Sequence, residues 1–166
     1  MAYDADPDAT HNPATGVVVP ASLLDLYNAN LAEIGAAWTS YTPTWTASGT
    51  APAIGNGVLA GAYKKLGKLL FVRVRWVAGS TTTFGTGQYF FALPAGVSSV
   101  GGVEQPLVGK GFDSSSGLNY VLAGFVIAGA TKIEAISNAA GGVGQTSPVT
   151  WANGDNMHFT GVIEAA

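Results

Sequence analysis

Three aspartates at alternate positions open the chain, Asp4, Asp6 and Asp8 of "DADPDATHNPAT". Their spacing begins like a calcium loop, D-x-D-x-D, which then needs glycine at position six and glutamate at position twelve. Ala9 and Thr15 stand at those positions and Pro7 stiffens the middle, so the signature is incomplete. The chain has two histidines, His11 and His158. A Ser-His-Asp triad needs a histidine oriented by a carboxylate and a serine it can deprotonate. Asp155 lies close to His158, but no serine stands in a G-x-S-x-G turn. "GNGVLAG" spaces its glycines one residue off the dinucleotide fingerprint, and "GGVGQTS" lacks the lysine of a phosphate loop. Glu104, Asp113, Glu134, Asp155 and Glu164 are too scattered to mark a glycosidase pair. The expectation is a protein without catalysis, metal or cofactor, with His158 a solvated or interface residue.

Composition narrows the class further. The chain has 166 residues, 23 of them glycine and none cysteine, and only 10% are charged, against about 25% in ordinary soluble domains. Such a surface is covered by small polar residues or hidden against other subunits. No uninterrupted apolar run is long enough to span a bilayer, and the aspartates near the start argue against a signal peptide. Residues 1–40 carry five acids and no lysine or arginine, whereas residues 41–166 carry seven bases and five acids. Lys64, Lys65, Lys68, Arg73 and Arg75 beside Tyr63, Phe71 and Trp76 could form a nucleic-acid patch. A net charge of −3 weighs against it, leaving a solvated hairpin face.

The elements that would position these groups are mostly strands. Residues 1–20, with three prolines and no periodicity, read as an extended arm. Ser22, with Asp25 three residues on, can cap a helix over 21–38. Leu24, Tyr27, Leu31, Ile34 and Trp38 follow a 3-4-3-4 spacing, two heptads of a seam. A helix this short is marginal alone, so it packs on its own domain or against copies of itself. "WTSYTPTWTASGTAPAIGNG" is too punctuated for a helix, and its period of two suits an edge strand. In "KLLFVRVRWVAG", Leu70, Val72, Val74 and Trp76 share one face, and Arg73 and Arg75 lie on the other. Met157, Phe159 and Ile163 share a face of the last strand, with His158 opposite. Seven or eight antiparallel strands over 39–166 predict an all-β, jelly-roll-like β-sandwich.

Several landmarks recur in a known order: "YTPTW" at 41–45, "IGNG" at 54–57, G-x-Y-x-x-x-G from Gly61 to Gly67, "FGTG" at 84–87, "LP" at 93–94 and the ending "WANGDNMHFTGVIEA". Across residues 38–166 they resemble a module of virion proteins of tailed bacteriophages, especially of actinobacterial hosts. Those proteins are commonly trimeric minor tail, tail-fibre or head-fibre proteins. The resemblance implies a homotrimer on the virion surface, made in the host cytoplasm. Tyr41 and Trp45 would join the helical seam as an aromatic collar. Tyr3, Asp4, Asp6 and Asp8 would dock the arm onto a capsid or tail protein. Short length and the acidic arm favour a short fibre or capsid decoration protein. A tail fibre contacting host cell-wall sugar and a carbohydrate-binding module are the alternatives. Neither nucleic acid nor membrane is an expected partner.

Overall fold

The structure, a computed structural model, describes residues 9–11, 18–138 and 141–166. The chain divides into two compact units, residues 1–37 and 38–166. In the first, β1 (Ala9–His11) pairs antiparallel with β2 (Val18–Pro20), so the segment expected to be an extended arm contains a short ladder. Helix α1 (Ala21–Gly35) follows directly. Pro20 precedes it with φ −57° and ψ 140°, and no side chain caps the helix. Ser22 therefore lies inside the first turn instead of capping it. The helix stops at Gly35, a poor helix former, so Trp38 lies beyond it and belongs to the second unit.

The second unit is all-β and sandwich-like. Its strands are β3 (Thr39–Tyr41), β4 (Trp45–Ala47), β5 (Val58–Leu66), β6 (Leu69–Val77), β7 (Tyr89–Ala92), β8 (Gln105–Asp113), β9 (Leu118–Val126), β10 (Lys132–Ser137), β11 (Gly141–Gly142) and β12 (Asn156–Glu164). They form one antiparallel sheet in the order β3-β5-β6-β12-β8-β9-β10-β7-β4, with β11 beside β10. Seven of the ten are the long runs that alternation reveals. The others, β3, β4 and β11, have only two or three residues, too few for a period to register.

The alternation in β6 decides its faces: Leu70, Val72, Val74 and Trp76 are buried, and Arg73 and Arg75 are exposed. Met157, Phe159 and Ile163 of β12 enter the same core beside Tyr89, Phe91 and Ile133. The ring pairs Trp45–Trp76, Trp76–Trp151 and Trp45–Tyr89 all meet edge to face, at centroid distances of 5.1–5.8 Å. Such pairs add directional attraction to the burial of large rings.

The two ends of the strand order, β3 and β4, are joined by only residues 42–44, so the sheet curls back on itself at "YTPTW". Tyr41 donates its hydroxyl to the Ala92 carbonyl at 3.4 Å, and the Ala92 amide bonds the Thr44 carbonyl at 2.9 Å. The Tyr41 ring lies over Gly61, where any Cβ would overlap it. Buried Pro43 turns the corner without a donor to satisfy. The uncharged aromatic stretch is thus the closure of the domain's own sheet.

Candidate functional site

The residues expected to form a trimer interface separate into two groups. Of those on α1, Tyr27, Leu31 and Ile34 are exposed and Leu24 is half-buried; no residue of the helix is buried. Leu23 and Leu26, outside the seam count, are exposed as well. At about 100° per residue, Leu23, Leu24, Tyr27, Leu31 and Ile34 fall in a single stripe, with Leu26 at its margin. A helical wheel finds Leu23 and Leu26 where a strict 3-4 count passes over them.

The remaining three belong to the β unit. Trp45 is only 6% exposed and lies between Trp76 and Tyr89 in the protomer's own core. That position corrects the collar expectation for Trp45, because a side chain enclosed in its own domain offers nothing to a neighbour. Tyr41 is half-buried, edge-on to Tyr63 at 5.8 Å, and closes the sheet. Trp38 is exposed but lies under the Arg73 guanidinium, 4.7 Å from its ring centre, instead of continuing the helical seam. Tyr3, Asp4, Asp6 and Asp8 lie outside the described residues, as does most of the calcium-like loop.

Two of the five candidate carboxylates, Asp155 and Asp113, are held in hydrogen bonds to serines and backbone amides. Asp155 is fully buried; it accepts from the Ser114 amide (2.8 Å) and hydroxyl (2.9 Å) through Oδ1 and from the Ala152 amide (2.7 Å) through Oδ2. This ties the β8–β9 turn to the segment before β12 and leaves His158 without the orienting acid a triad requires. Asp113 accepts from the Ser115 and Ser116 hydroxyls, both at 2.7 Å, and from their amides. The hydroxyl donors outweigh burial and hold its carboxyl down at about 2. Among the described residues, no cluster of histidine and acidic side chains could hold a metal ion. No described helix is long and apolar enough to cross a membrane.

Glycines of two of the sequence landmarks serve close backbone packing. Segments 48–57 and 79–88 lie side by side, zipped by Thr50–Thr86, Ala53–Thr83 and Asn56–Thr81 hydrogen bonds. Gly49, Gly55, Gly79, Gly85 and Gly87 let the two backbones approach this closely. "IGNG" lies in the first of these segments, against residues 79–82, and "FGTG" in the second, against residues 48–52.

On the outer face of the sheet, register gathers charges that the sequence leaves apart. His158 of β12 stands directly between Arg75 of β6 and Lys110 of β8. On the next outward rung, Arg73 is beside Thr160. All five side chains are exposed. Partial burial, then the charges of Arg75 and Lys110, hold the His158 imidazole below its ordinary pKa. Of the three stacking partners of the supposed nucleic-acid patch, Trp76 is fully buried and Tyr63 packs on Tyr41, which leaves the half-buried Phe71. In comparisons with known proteins, no family model, curated sequence or solved structure matches the chain.

Proposed function

We propose that this chain is a non-enzymatic structural protein of a tailed-bacteriophage virion. It acts as a homotrimeric short surface fibre or capsid decoration protein, anchored through its N-terminal segment. The observation that carries the self-association is the apolar stripe of α1, in which Leu23, Leu26, Tyr27 and Leu31 are all exposed within the protomer. Enclosing such side chains contributes about 1.5–3 kcal/mol each, so three copies packed along their helices gain enough to hold together. The ordered landmarks from "YTPTW" to "WANGDNMHFTGVIEA" supply the virion setting, and the scarcity of charge suits subunit contacts.

A tail-associated fibre that contacts host sugar is the alternative within the same class. A carbohydrate-binding module draws less support, because Trp45, Trp76 and Trp151 are withdrawn into the core and cannot form a sugar platform. Sedimentation equilibrium of the purified chain tests the association: a trimer at micromolar concentration is expected, and a stable monomer overturns it. Imaging of particles carrying a labelled copy tests the setting, since label on capsid or tail supports it and unlabelled particles refute it.

A further inference from the structure

A shallow basin of about 550 Å³ lies on the outer face of the β unit. Its floor is small, Ala60 and Ala62 of β5 and Ser40 of β3, and its rim carries Arg73, Arg75, His158 and Thr160. Lys110 extends the rim one strand further, directly opposite His158. Strands lie about 4.8 Å apart, so Arg75 and Lys110 stand roughly 10 Å from each other across the histidine.

Arg75 and Lys110 flank β12 from either side, Arg73 shares β6 with Arg75, and the β unit has five carboxylates that could have neutralised them. None is used here. Asp113 and Asp155 are turned into serine and backbone bonds, Glu134 meets Gln88, and Glu164 lies six residues along β12, roughly 20 Å away. Glu104 lies in the loop before β8. Three of the chain's seven lysines and arginines therefore gather on one rim without a carboxylate of the β unit to neutralise them.

We propose that the basin is a binding site for a tetrahedral oxyanion, a phosphate or sulfate group, carried on an extended ligand that lies across strands β5, β6, β12 and β8. Two guanidinium groups, an imidazole, an ammonium and the hydroxyls of Ser40 and Thr160 offer donors from several directions, which suits four tetrahedral oxygens better than a planar carboxylate. Each donor is exposed, and exposed ion pairs are individually weak. A single small anion therefore gains little, whereas a ligand with charges spread along the rim engages several donors at once. The missing bulk at Ala60 and Ala62 gives the chain of that ligand its seat.

His158 reports occupancy. The groups facing it are Arg75 and Arg73 from β6 and Lys110 from β8, all cationic, and the residues of β5 beside them do not titrate. A bound oxyanion reverses the local field, so the imidazole pKa should rise on binding.

Inorganic tripolyphosphate serves as the extended probe and orthophosphate as the single one. Calorimetric titration and the His158 ring resonances are followed on the full chain. Tripolyphosphate should bind at least about tenfold tighter than orthophosphate, and Arg75→Gln or Lys110→Gln should each weaken it about tenfold. The His158 pKa should rise with saturating tripolyphosphate. Ala60→Phe, which leaves every charge in place but fills the exposed seat, should also weaken binding. Equal affinity for both probes, binding indifferent to all three substitutions, or no saturable binding up to about 10 mM would each overturn the site.

Discussion

At the scale of single residues, Gly61 and Asp113 carry the sharpest consequences. A methyl group at 61 would overlap the Tyr41 ring, and that ring is fixed between Tyr63 and the Ala92 carbonyl. Gly61→Ala should therefore lower stability by about 1–3 kcal/mol in urea unfolding, the usual cost of overpacking. In a Tyr41→Ala background the same substitution should cost much less, because the obstructing ring is gone. A full cost there would remove Tyr41 as the cause. Asp113 makes a prediction in pH. Its folded pKa is lowered from 3.8 to about 2, so the unfolded chain takes up the proton first as acid is added. The stabilisation is complete above about pH 5 and is lost as pH falls from about 4 to about 2. Asp113→Asn cannot titrate and should remove part of that slope in unfolding measured at pH 5, 4, 3 and 2. An unchanged slope would mean that the Ser115 and Ser116 hydroxyls do not hold the charge.

At the scale of elements, α1 and β4 should respond in opposite ways. Leu31 is 63% exposed on a helix with nothing buried, whereas Trp45 is enclosed in the β core. If the proposed trimer forms along α1, Leu31→Asp should dissociate it while leaving the unfolding of the β unit unchanged, because it sets like charges together at that seam. Trp45→Ala should instead cost the β unit about 3–5 kcal/mol through the cavity it opens. Sedimentation paired with thermal unfolding separates the two outcomes, and a Leu31→Asp chain that remains trimeric would sink the seam. The same pair shows what the sequence conveys. Alternation within one strand names a face, and so Leu70 to Trp76 and Met157 to Ile163 were legible as core. It does not say whether an aromatic face meets its own domain or a neighbour's, and so Trp45 is read outward from sequence and found inward. The Arg75–His158–Lys110 row was not legible, because β12 sits between β6 and β8 while following both in the chain. No local pattern reports a register between strands so far apart in order.

At the scale of the whole molecule, charge is divided between an acidic first forty residues and a slightly basic remainder. In the proposed virion role, Asp4, Asp6 and Asp8 face basic groups on a capsid or tail protein, with Tyr3 as the apolar anchor. Fixing backbone costs about 1–2 kcal/mol per residue, and exposed ion pairs return only about 0–1 kcal/mol each. One such segment therefore binds weakly. Three segments held on one trimer raise the effective concentration at neighbouring sites, and the second and third attachments follow at much lower entropic cost. Attachment should accordingly require both the acidic segment and the oligomer, and it should weaken as salt rises. Deleting residues 1–20 removes the three aspartates but leaves α1 and its stripe intact. The truncated chain should remain trimeric by sedimentation yet fail to bind particles lacking the native protein, measured by co-sedimentation with those particles. The full-length Leu31→Asp chain should bind them far more weakly than the trimer. If the truncated trimer still occupies particles fully at moderate salt, the anchor lies in the β unit and the acidic segment has another role.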